Sequence, residues 1–314
     1  MSVRLSVINF KGGVGKTTLA FHLGTYLAQE NRVLLVDVDH QSSLSIVIMG
    51  GPLWESYAST GRTSNRIFES FCNRRIAMPR NEIIINNPFH EKDQRYDFYP
   101  NLDLVPAQFE LDDTEIELAS TTIGGPTVSE WEKRTLLASW IDQVNAEDEY
   151  DYIIFDCPPA TKLVSQNALA ASNYFLIPVI PDEMSSRGVT HFRNLVRNKI
   201  DAKLDFLKQS AGISVQDIPR AYVPTTDLAG IAPFMAKPAG RARSGLTDLH
   251  TRQLNILRNQ WGNDIIEPPI KHMSGVAEAM DTGWPVWKTY AKNATPNVMQ
   301  TMKRVCQEIK SRIV

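Results

Sequence analysis

The stretch NFKGGVGKTT at 9–18 sets three glycines, two lysines and two threonines within reach of one small anion. Gly12, Gly13 and Gly15, with Val14 between them, let successive backbone N–H groups close around phosphate oxygens. Lys16 supplies a cation to the terminal phosphates, Thr17 offers a hydroxyl to Mg²⁺, and Thr18 completes the pair that opens the following helix. Phe10 stands where the ordinary pattern G-x-x-x-x-G-K-[ST] wants glycine, and a second lysine, Lys11, precedes the loop. Three aspartates complete the candidate set. Asp37 and Asp39 end the run RVLLVDVD, and Asp156 ends YDYIIFD. Carboxylates just beyond the carboxyl ends of parallel strands lie in the crevice where such sheets bind ligands.

These groups need strands behind them and helices in front. LSVINF (5–10), RVLLVDVD (32–39), YDYIIFD (150–156) and NYFLIPVI (173–180) read as strands, separated by helical patterns. TTLAFHLGTYLAQE carries Leu19, Leu23 and Leu27 at helical spacing, so a helix begins where the loop ends and aims its first N–H groups at the anion. The organisation is α/β, a mostly parallel sheet flanked by helices. Between Gly50 and Trp131 the strand–helix rhythm weakens, which reads as an insertion or helical subdomain. VPTTDLAGIAPFMAKPAGRARSG (223–245) reads as a long exposed loop.

The composition, 314 residues with 43% hydrophobic and 22% charged, supplies a sizeable core. A formal net charge of -2 gives no global basic field, so nucleic-acid affinity must come from a local patch. Cys72, Cys157 and Cys306 are far apart and form no CxxC pair, which argues against structural zinc, an iron–sulfur cluster or a disulfide framework. The expected compartment is a reducing interior, and no apolar run is long enough to span a membrane.

KGGVGKTT, LLVDVDHQSS and YDYIIFDCPP together resemble the deviant Walker family of P-loop ATPases typified by the ParA partition proteins and the MinD division-site proteins. The resemblance covers most of the chain. It implies a single domain over 1–314 with insertions around 50–131 and 205–250, and ATP and Mg²⁺ as ligands. By that resemblance Lys11 reaches across a dimer interface to the partner's ATP. Asp39 orients the attacking water, and Asp37, Thr17 and Asp156 hold the hydrated metal. Lys11, Lys16 and Asp39 form the catalytic set. His40 replaces the family's usual proline. PIKHMSGVAEAMDTGWPV resembles the stretch that borders the adenine, which brings in Lys271 and Met273.

Three basic clusters are candidates for a phosphate-tracking surface. A helix over 187–204 turns Val189, Phe192, Val196 and Leu204 to the core and presents Arg187, Arg193, Arg197 and Lys203, opposed only by Asp201. The loop around Lys237, Arg241 and Arg243 is one further cluster; Lys303, Arg304, Lys310 and Arg312 on the last helix, opposed only by Glu308, form the other. The resulting expectation is a cytoplasmic, nucleoid-associated partition ATPase. It dimerises around ATP, binds DNA nonspecifically and is stimulated by a ParB-like or other adaptor, without stable membrane association. Two alternatives stay open: a MinD-like membrane-associated ATPase, and a ParA-like ATPase that positions a protein cargo such as a microcompartment. The last helix, with Val298, Met302, Val305 and Ile309 on one stripe, suits either an interfacial helix or one packed on its own domain.

Overall fold

All four expected strands form, and three more join them. The computed structural model describes residues 2–94, 98–159, 162–239, 245–288 and 293–313, apart from the side chains of 184–187. Its strands are β1 (Val3–Val7), β2 (Val33–Asp37), β3 (Ile85–Asn86), β4 (Leu102–Val105), β5 (Tyr152–Asp156), β6 (Tyr174–Val179) and β7 (Asp227–Pro233). They lie in the order β3-β4-β2-β5-β1-β6-β7, parallel except for the β3–β4 pair.

Both sheet faces are buried, as a parallel sheet wrapped by crossover helices requires. Alternate residues of each strand enter opposite cores. Leu34, Val36, Ile153, Phe155 and Ile177 face one, and Val33, Leu35, Tyr152, Ile154 and Leu176 face the other. The helix Lys16–Leu27 lies in the second core with Leu19, Leu23 and Leu27 buried. It sits so near the sheet that a Cβ on Gly24 would come within 2.7 Å of Leu35.

The first strand starts two residues before the expected position and stops at Val7, because the chain must leave the sheet to build the glycine loop. The stretch from 50 to 131 supplies two strands as well as helices, with β4 paired to β2. The 223–245 segment is not all exposed loop, since β7 occupies 227–233 and five of its residues are buried. Gly230 and Pro233 gave that strand a loop-like composition. Gly230 is needed there because a Cβ would meet Ile266 at 2.8 Å.

The helix expected over 187–204 divides into Glu183–Leu195, a π-helical turn Val196–Asp201 and Ala202–Ser210. Its apolar positions Val189, Phe192, Val196 and Leu204 are buried as the spacing requires. The last helix, Pro296–Arg312, buries Val298, Met302, Val305 and Ile309 against β7 and the helix Lys16–Leu27. Its apolar stripe therefore faces its own domain.

Candidate nucleotide site at the carboxyl edge of the sheet

Strand register assembles the site. Val7 pairs with Asp156 across β1–β5, and Asp37 pairs with Asp156 across β2–β5, so the loop's entry and two carboxylates meet at one edge. Gly13 and Gly15 have φ of 68° and 93°, in the left-handed region that glycine enters without cost. A side chain on Gly15 would also collide with the Phe234 ring at 2.4 Å. Phe234, buried just after β7, is thus a wall of the loop that motif reading missed, because it lies 219 residues from Gly15 in a segment read as loop.

The two lysines diverge. Lys16 is buried, its Nζ 3.5 Å from the carbonyl of Lys11. The Lys11 side chain is 45% exposed and pairs with Asp182 at 2.5 Å. His22, one turn into the helix, is fully buried, and burial pushes its imidazole down to about 4. It is therefore neutral: Nδ1 donates to the Thr18 carbonyl at 2.7 Å, and Nε2 accepts the Val286 N–H at 3.3 Å. That side chain ties the loop's helix to the C-terminal segment, a role no local pattern signalled.

The carboxylates take different positions. Asp37 Oδ2 accepts the N–H and hydroxyl of Ser45 at 2.9 and 2.6 Å, and Oδ1 accepts the Asp39 N–H at 3.1 Å. Ser45 Oγ in turn accepts the Ala107 N–H at 2.9 Å. Asp37 is thereby committed to fixing the segment after β2. Burial raises its carboxyl to about 7 despite these bonds. Asp156 is also fully buried, and neither of its oxygens has a hydrogen-bond partner. Burial, then the charge of Asp37, holds it well above the usual carboxylate range, while the Thr17 hydroxyl and Lys16 ammonium favour the charged form.

An orphaned buried carboxylate beside a threonine hydroxyl fits a divalent cation. Among the described residues, no three His, Cys, Asp or Glu side chains converge into a cage. Asp39 is buried with Oδ1 accepting the Gln41 N–H at 3.0 Å, and His40 Nδ1 lies 3.7 Å from that oxygen. Ile270–His272 runs beside 233–236 through the bonds Ile270 N to Pro233 O and His272 N to Ala236 O, both 2.9 Å. Lys271, with Met273 two residues on, is thus carried alongside the segment that bears Phe234.

The basic clusters fare differently. Arg193 and Arg197 are exposed, with the Arg193 guanidinium 5.5 Å from the Trp261 ring centre. Asp201 is buried and accepts the Thr226 N–H at 3.3 Å; burial raises it to about 7, while the nearby Arg197 charge favours its charged form. Lys203 lies 3.9 Å from Glu130. On the last helix Lys310 pairs with Glu30 at 3.2 Å and Arg312 with Glu308 at 2.8 Å, so two of its four cations are answered. Arg241, Arg243 and the Arg187 side chain lie outside the described residues.

A glycine loop between β1 and a helix, on a mostly parallel seven-stranded sheet with aspartates at neighbouring strand ends, defines a P-loop NTPase fold. A family model described as an AAA domain matches residues 3–208, and the chain belongs to that family. It is 33% identical over 196 residues to the sporulation initiation inhibitor protein Soj of Bacillus subtilis, covering 62% of this chain and 64% of Soj. The chain spans 42% to 66% of the length of the curated relatives it matches. Among solved structures, apo McdA of Cyanothece superposes with a TM-score of 0.67 at 18% identity, covering all of both chains. A putative plasmid partition protein of Borrelia burgdorferi bound to AMPPNP superposes with a TM-score of 0.65 at 17% identity, also covering all of both chains. Among the described residues no helix is long and apolar enough to cross a membrane.

Proposed function

We propose that this chain is an ATP-dependent partition ATPase, acting in the cytoplasm, that forms an ATP-bridged homodimer and binds DNA nonspecifically. An adaptor protein would stimulate hydrolysis and so reset it. The observation that carries the reading is the division between the two loop lysines. Lys16 is buried against its own loop, whereas Lys11 stands 45% exposed at the rim. A cation placed there can answer the triphosphate of a second copy, and two such faces together would make ATP the bridge between subunits.

Within one subunit the loop N–H groups and Lys16 would bind and orient the triphosphate. Thr17 and Asp156 would hold Mg²⁺, which supplies charge neutralisation at the phosphates when bound. Asp37 positions the segment carrying Asp39 rather than offering free oxygens. Asp39 Oδ1 is held by the Gln41 N–H, which leaves Oδ2 to orient a water towards the terminal phosphate. The exposed Arg193 and Arg197 would meet DNA phosphates without reading bases. Burial of the last helix's apolar stripe favours this reading over attachment to a membrane.

Light scattering with and without MgATP, together with duplex anisotropy across a salt series and sedimentation with anionic liposomes, tests the proposal. The expected result is a dimer only with MgATP, duplex binding that weakens steeply with salt, and no liposome binding. A protein that stays monomeric with MgATP, or that pellets with liposomes in preference to DNA, overturns it.

A further inference from the structure

For Lys11 to serve a second copy's triphosphate it must leave the carboxylate it already holds. Its Nζ lies 2.5 Å from Asp182 Oδ2 of the same chain, with the two side chains 45% and 29% exposed. Asp182 sits in the turn between β6 and the helix Glu183–Leu195, its own N–H donated to the Ile180 carbonyl at 2.7 Å.

The backbone around Lys11 is fastened to the same end of β6. Asn9 Nδ2 donates to the Pro178 carbonyl at 2.7 Å, and Asn9 Oδ1 accepts the Lys11 N–H at 3.1 Å. Phe10 packs edge-on against Phe192 with ring centres 4.9 Å apart, and lies 5.6 Å from His191. With the main chain pinned on both sides, the long Lys11 side chain is the part able to swing. Its two destinations, Asp182 in its own subunit and phosphate in another, are mutually exclusive.

We propose that Asp182 is a positioning residue: a latch that holds Lys11 within its own subunit until the triphosphate of a second copy competes for it. The inference rests on the reading of Lys11 as the cross-subunit cation. An exposed ion pair of this kind is weak, changing an equilibrium by about 1.4-fold to fivefold. A symmetric dimer opens two latches at once, so the factors multiply to between about twofold and thirtyfold on dimerisation. A weak latch suits a device that must yield to ATP yet suppress association of subunits without it.

Asp182→Asn removes the latch charge with little change of shape, and Asp182→Glu restores it. Dimerisation is measured by light scattering at saturating MgATP, alongside ATP affinity of the dilute monomer and Lys11→Ala as a control. The expected result is that Asp182→Asn dimerises at least twofold more tightly than wild type with monomer ATP affinity unchanged, while Asp182→Glu returns to the wild-type constant. Dimerisation of Asp182→Asn that is unchanged or weaker, with Lys11→Ala failing to dimerise, overturns the latch and leaves the reading of Lys11 standing. A Lys11→Ala protein that dimerises like wild type overturns both.

Discussion

At the carboxyl edge of the sheet the charged groups are sunk into the fold: Lys16, Asp37, Asp39 and Asp156 are each 6% exposed or less. On the helix that follows β6 they stand in solvent, with Arg193 and Arg197 exposed and their expected opponent Asp201 turned inward. Buried charges are costly unless something specific answers them, so their geometry is strict and a single substitution should act all or none. Exposed cations are screened and additive, so their loss should be graded and salt-dependent. The two regions also touch, because Phe10 of the loop packs on Phe192, one residue before Arg193.

The sharpest way to break the contrast is Asp39→Ala. On the proposed reading its task belongs to the transition state, so turnover should fall by about a hundredfold to ten-thousandfold while ATP affinity and dimerisation persist. Phosphate release and calorimetry on one preparation check this; loss of ATP affinity in step with turnover would assign Asp39 to ground-state binding instead.

A smaller, graded effect is expected on the other region. Arg193→Glu with Arg197→Glu should weaken duplex binding about equally for all sequences and lower the log–log salt slope by about two per subunit, with ATP turnover retained. Anisotropy at several salt concentrations reads it directly. An unchanged slope would move the DNA surface to another cluster, such as Lys303 and Arg304.

The smallest effect concerns Asp201, buried beside the start of β7. Burial raises its carboxyl from 3.8 to about 7, so the native chain keeps this proton to higher pH than the unfolded chain does. Stability from this group is complete below pH 3.8 and is lost as pH rises through 7. Asp201→Asn should therefore raise the melting temperature by an amount that grows from pH 4 to pH 8. Melts showing equal shifts at both ends would mean that the carboxyl is not held protonated by the fold.

The same contrast explains what could be read from the chain alone. Loop glycines, Lys16 and the strand-end aspartates announce themselves because one strand, one turn and one helix fix their geometry locally. Their partners do not: Phe234 against Gly15, His22 joining Thr18 to Val286, and Ser45 saturating Asp37 depend on contacts made by the folded chain. β7 was hidden by Gly230 and Pro233, which read as loop until Ile266 is seen to fill the space beside Gly230. Surface charge was the least legible. Whether Lys310 or Arg312 is free depends on Glu30 and Glu308, and Glu30 lies 280 residues from Lys310. Asp201 reads as a surface carboxylate by spacing, but the π-helical turn places it inside.

The central claim is that the nucleotide edge governs the DNA face through a dimer bridged by Lys11. The most direct test is duplex anisotropy of Lys11→Ala at saturating MgATP. Two triphosphates brought together without their bridging cations repel, so the variant should bind ATP, remain monomeric and bind DNA no better than wild type does without nucleotide. Duplex binding equal to that of ATP-loaded wild type would contradict the account, because the extra lysine would then play no part in joining the two regions.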